Sequence, residues 1–126
     1  MKKVLFVLLA VTVLVSSSCS KEKKINRRID GEWKEVSYNG VAVPADEQAT
    51  ISFSKDKKGG TGSISFAESG VSISIPFTYT LVEDKMTLVT TFAGSSETSI
   101  MTINTYEKDK LEWTDSDGMK SVMEPK

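Results

Sequence analysis

The chain of 126 residues holds one cysteine, Cys19, and no histidine, against 17 aspartates and glutamates. That inventory decides most of its chemistry. Without histidine there is no Ser-His or Cys-His nucleophile pair, and no imidazole ligand for zinc. Two suitably spaced carboxylates would suffice for glycoside hydrolysis, but nearly every Asp and Glu falls in a turn or on the polar side of an alternating stretch. No catalytic residue is therefore assigned, and a carboxylate-type hydrolase stands a distant third among the functional readings. Asp115-Ser116-Asp117-Gly118 sets carboxylates at alternate positions before a glycine, as a calcium loop begins. The distal bidentate Glu and the flanking helices of such a loop are missing, and a hairpin turn in which Asp caps local backbone groups explains the run better. Neither a metal ion nor a cofactor is expected.

Cys19 itself has no partner for an intramolecular disulfide. Before it stand two lysines, Lys2 and Lys3, an apolar run from Val4 to Val15, and Ser16-Ser17-Ser18. The run is well short of the ~20 residues that cross a bilayer, and basic, apolar and small-residue segments follow one another as in a secretory signal. The stretch resembles the signal peptide of a bacterial lipoprotein, with one departure: Ser16 occupies the position three before the cysteine where Leu is usual, and Val15 lies one step earlier. The resemblance implies that residues 1–18 are removed between Ser18 and Cys19. It also implies that Cys19 is diacylated on sulfur and acylated again on its new amine, palmitate being the expected acyl type. Ser20, in place of a retaining Asp, implies the outer membrane of a gram-negative cell. By the same resemblance, the net basic Lys21-Glu22-Lys23-Lys24, where surface-export signals tend to be acidic, implies the periplasmic face over the cell surface. Residues 19–28 then read as a lipidated N-terminus and a polar, solvated tether.

Loss of Lys2 and Lys3 with the signal would take the formal charge from −1 to −3, and no clustered basic stretch suggests a nucleic-acid partner. Charges gather in short runs such as Lys55-Asp56-Lys57-Lys58 and Glu107-Lys108-Asp109-Lys110, which read as solvated turns. Residues 29–126 are enough for one domain and not for two.

Beyond residue 30 apolar and polar residues alternate, which predicts an almost all-β domain. The clearest stretch is Val71 to Leu81, where the odd positions are apolar and most even positions are Ser or Thr. Pro76 interrupts its polar side and predicts an edge, a bulge or a break, since proline donates nothing to a ladder. Further strands are expected over Glu32–Tyr38, around Ile51-Phe53 and Ile64-Phe66, and over Lys85–Phe92, Glu97–Tyr106, Lys110–Thr114 and Met119–Met123. Turn signals separate them: Asn39-Gly40, Gly59-Gly60, Ser69-Gly70, Glu83-Asp84, Gly94-Ser95, Lys108-Asp109 and Asp117-Gly118. About eight strands with mostly short links fit an antiparallel up-and-down barrel or half-barrel, with room for one helical turn at Pro44–Gln48.

Ile29-Asp30-Gly31-Glu32-Trp33 opens the first strand with Gly-x-Trp. With the meander after it, this resembles the small lipocalin-like domains of gram-negative lipoproteins. The resemblance implies that Gly31 lets the chain pass tightly into the sheet and that Trp33 plugs the closed end. Lipocalins usually stack a late Arg on this Trp; here no Arg follows Arg28, and Lys120 is the available substitute, a poorer one.

Phe53, Ile64, Phe66, Ile73, Ile75, Phe77, Tyr79, Leu88, Ile103, Leu111 and Trp113 are the inner-face candidates. They line a cavity for a small hydrophobic or amphipathic ligand, or they fill the barrel. Two readings follow: a monomeric, membrane-anchored binding module with Tyr79 or Trp113 near the mouth, or an envelope scaffold with a filled core and an unidentified protein partner.

Overall fold

The computed structural model describes residues 20–68 and 70–126. Residues 1–18, the Ser18–Cys19 junction and the lipid attachment at Cys19 lie outside the described residues, as does Ser69. One helix is followed by nine strands: α1 (Lys21–Ile29), β1 (Gly31–Tyr38), β2 (Val41–Ala42), β3 (Thr50–Asp56), β4 (Gly59–Glu68), β5 (Val71–Val82), β6 (Lys85–Phe92), β7 (Ser95–Tyr106), β8 (Leu111–Asp115) and β9 (Lys120–Pro125). Every pairing is antiparallel, and the order β1-β3-β4-β5-β6-β7-β8-β9 closes when β9 returns to β1. Eight strands thus form a closed barrel, not a half-barrel. The ninth, β2, is a two-residue flap that folds back on Ser37 and Tyr38 through Asn39-Gly40. Asn39 and Gly40 both hold positive φ, which suits this tight hairpin. A two-residue strand is too short for alternation to announce.

The expected tether is not a free, fully solvated stretch of chain: Lys21–Ile29 is the helix α1, solvated on one face and buried on the other. Ser20 caps it, its hydroxyl accepting from the Lys23 N–H at 3.3 Å. Glu22 stands in its first turn and Arg27 and Arg28 in its last, as the helix dipole favours. Ile25, Asn26 and Ile29 share one buried face at i, i+1 and i+4. Nine residues are too few to hold a helix in water alone, so the docked face accounts for its existence, and two isoleucines among charges give little pattern to read.

Two further expectations change. The turn after β3 is Lys57-Lys58, and Gly59-Gly60 begin β4 instead. Pro44–Gln48 makes a simple turn, with the Glu47 N–H donating to the Pro44 carbonyl at 2.9 Å. Pro76 does not split its strand. β5 pairs with β4 along its length, from Val71 to Thr80, but with β6 only from Phe77 to Val82. The proline stands where the ladder to β6 stops, which is the edge its missing N–H calls for.

The core is the inner face that alternation selects, extended by residues outside the candidate lining, namely Trp33, Ile51, Leu81, Met86, Met101 and Met123, and by Ile25 and Ile29 of α1. Gly62 sits on this inner face, registered with Phe77 across the β4–β5 ladder. A β-carbon on Gly62 would run into the Phe77 ring and the Ser52 carbonyl oxygen. The missing side chain is therefore the space the Phe77 ring occupies. Gly62→Ala is expected to lower stability by roughly 1–3 kcal/mol through overpacking, read as a drop in the urea midpoint at unchanged slope.

Candidate functional site: the two ends of the barrel

Helix α1 covers one end through a buried polar peg. Asn26 donates from Nδ2 to the carbonyls of Lys57 (3.1 Å) and Gly59 (2.8 Å), and its Oδ1 accepts from the Tyr79 hydroxyl. Burial, with the charge of Asp30 adding to it, pushes the Tyr79 hydroxyl up to about 12, so it stays a donor at any physiological pH. Trp33 lies at the same end, its indole Nε1 donating to the Ile29 carbonyl at 2.8 Å, and Gly31 begins β1 at φ 123°. Lys120, the substitute offered for a stacking arginine, does not serve Trp33. It binds Glu112 at 3.1 Å, whereas the β9 residue in register with Trp33 is Pro125. The arginines adjoining Trp33 are Arg27 and Arg28 of α1, which share a surface groove with it.

The inner-face candidates divide into two groups. Phe53, Phe77, Tyr79, Leu88, Ile103, Leu111 and Trp113 are buried in one core. The Phe53 ring meets Phe77, Tyr79 and Trp113 edge-on at centroid distances of 5.6, 5.4 and 6.2 Å. That aromatic layer fills the half of the barrel beneath α1, and neither Tyr79 nor Trp113 stands at a mouth as expected. Ile64, Phe66, Ile73 and Ile75 are only half-buried. They lie farther along the β4–β5 hairpin, with Ile64 registered to Ile75 and to Ile51, and Phe66 to Ile73.

The wall formed by β1 and β9 is more polar. Glu35, registered with buried Met123, is half-buried, and burial raises its carboxyl above the ordinary range, a hydrogen bond to the Ser121 side chain working the other way. At this end the hairpin tips carry exposed apolar side chains: Tyr38 and Val41, Val71, Phe92 and Met119. The Asp115–Gly118 run is a turn, Asp115 Oδ1 accepting from the N–H groups of Asp117 and Met119 at 2.9 Å each. Among the described residues no group of three His, Cys, Asp or Glu is placed to hold a metal ion. The sequence reading missed Asn26, whose only signal is an amide between two isoleucines, and Glu35, whose inward position follows from its strand parity with Trp33.

No protein-family model and no curated protein sequence matches the chain. Its architecture is that of a lipocalin-like barrel. A solved lipocalin-like protein from Bacteroides uniformis superposes with a TM-score of 0.62 at 14% identity, over 79% of this chain and 99% of the other. A redesigned β-barrel superposes at 0.55 and 15% identity, over 81% of this chain and 95% of its own. At such identities the likeness is one of fold alone.

Two outcomes follow from the peg and from Glu35. Tyr79→Phe removes one donor and is expected to cost roughly 1–3 kcal/mol; Asn26→Leu strands two carbonyls and a hydroxyl together and should cost more, both read by chemical unfolding. For Glu35 the folded state binds its proton more tightly than the unfolded chain, so stability is lost as pH rises through the folded value. Glu35→Gln should therefore raise the melting temperature at pH 7, with the gain fading as the pH falls into the ordinary carboxylate range.

Proposed function

We propose that the protein is a non-enzymatic binding module of the cell envelope, held at the outer membrane through acylated Cys19. In this reading the half of the barrel away from α1 receives a small amphipathic ligand. The observation that carries it is the change of burial along one hairpin. Phe77 and Tyr79 are packed shut, whereas Ile64, Phe66, Ile73 and Ile75 on the same strands keep part of their apolar surface open. Small-molecule sites are mostly apolar with a few polar groups for orientation, and Glu35 with Ser121 supplies the polar side. The site is shallower than the full-depth cavity that all eleven lining residues would make, because the aromatic layer occupies the lower half. The Gly31–Trp33 motif, the lipocalin-like fold and the lipoprotein-like N-terminus support the same assignment.

A second reading, an envelope scaffold with a filled core, is favoured by that aromatic layer and by the outer edge of β2, which has no strand beside it among the described residues. In it the barrel is a support and the exposed surface near Tyr38, Val41 and Met119 does the binding.

Cells fed isotope-labelled palmitate should label the full chain, and Cys19→Ser should abolish the label; unlabelled wild-type protein would remove the anchor. Native mass spectrometry of protein made without residues 1–19 should show an added small-molecule mass that Ile64→Arg eliminates. Apo mass alone under gentle conditions would instead favour the filled scaffold.

A further inference from the structure

The basic runs that look like unrelated turns in the sequence come together at one end of the barrel. Helix α1 carries Lys21, Lys23, Lys24, Arg27 and Arg28, all exposed, on the side away from its buried Ile25, Asn26 and Ile29. Three turns surround it. The Asn26 amide holds the β3–β4 turn at Lys57. The Glu22 carboxylate accepts from the Glu83 N–H at 2.7 Å in the β5–β6 turn. Lys108, after β7, shares with Lys24, Arg27 and Arg28 a groove of about 530 Å³ that runs beside Tyr106 and Trp33.

The separation of charge is large. Residues 21–32, 55–58, 83–85 and 107–110 carry eleven basic and eight acidic side chains, and the rest of residues 20–126 carries three basic and nine acidic. One end is therefore positive in a domain that is negative as a whole. Among the described residues none of the five α1 cations makes an ion pair; the recorded pair is Lys120 with Glu112, elsewhere on β8 and β9. Two carboxylates border the groove, Asp30 and Glu32, and Asp30 Oδ1 already accepts from the Lys55 N–H at 3.0 Å.

We propose that the outer face of α1, with the turns beside it, is a docking surface for an anionic phospholipid membrane. Clusters of four or more exposed Lys and Arg on an amphipathic helix beside a membrane anchor are what attract acidic headgroups. The chain outside the described residues ends at Cys19, two residues before α1 begins. Its acyl chains would set this positive end, and not the opposite one, against the bilayer. The orientation rests on the anchoring reading above; the surface itself does not. With the helix down, the apolar-rimmed end points away from the membrane.

The test uses residues 19–126 carrying Cys19→Ser, which contain every contact described, and sedimentation with vesicles. Binding to phosphatidylcholine containing roughly 30% phosphatidylglycerol should exceed binding to pure phosphatidylcholine by at least about tenfold, and should fall steeply with added salt. The variant K24Q/R27Q/R28Q, its fold checked by circular dichroism, should lose most of that preference, while K34Q should keep it. Equal binding to the two vesicles, or full binding by the triple variant, would overturn the proposal. So would equally tight binding to soluble polyphosphate at matched phosphate concentration, which would assign the surface to a soluble anion. If palmitate labelling fails but the vesicle preference remains, the anchor is lost and the docking surface stands.

Discussion

Everything in this fold depends on β1 being paired on both sides. Its first half lies against β3 and most of its length against β9, and the two ladders overlap at Trp33 and Lys34. Without that overlap the sheet would be an open strip with two unpaired edges, a form prone to pairing with other chains. Closure converts the inner face into an enclosed volume, and that volume must then be filled or lined. The bulge between Glu35 and Ser37 bends β1 where it leaves β3 and continues alone with β9, and β2 covers part of the edge left free. Part of the interior is taken by four aromatic rings meeting edge-to-face, an arrangement worth more than burial alone.

The strands and their inner face were legible because alternation is a local signal. Val71 to Leu81 announces both a strand and the side it buries, and Pro76 marks a real boundary in the pairing. Alternation cannot say how full the barrel is. Phe77 and Ile75 read alike in sequence; only the registered partner separates them, since Gly62 yields its space to one ring while Ile64 leaves its partner half-covered. Helix α1 was illegible for a related reason. Its buried amide is satisfied by Lys57, Gly59 and Tyr79, residues far along the chain, and nothing local distinguishes an Asn that will be a peg from one that will be solvated.

The two ends have opposite characters, and they arise from different levels of structure. One is closed by a helix, packed with aromatic rings and positive outside; the other is less tightly filled, rimmed by apolar hairpin tips and set in an acidic remainder. The groups that give polarity to the interior, Asn26 below and Glu35 above, differ in the same way. Asn26 has its hydrogen bonds made and serves stability. Glu35 is held half-buried at the expense of its charged form, a condition common where a fold keeps a group for some purpose other than stability.

The peg also constrains the order in which the molecule can be assembled. Asn26 is among the earliest residues of the domain to be synthesised, yet its partners include a hydroxyl 53 residues later, and the β1 wall beside it is complete only when β9, at the far end of the chain, has arrived. A nine-residue helix with no stability of its own acquires its buried face only after those distant elements are in place. The buried face of this early helix is thus covered only by segments that lie much later in the chain. Non-local closure of this kind is slow relative to local folding, so the last step in sealing this barrel is set by its topology and not by its helix.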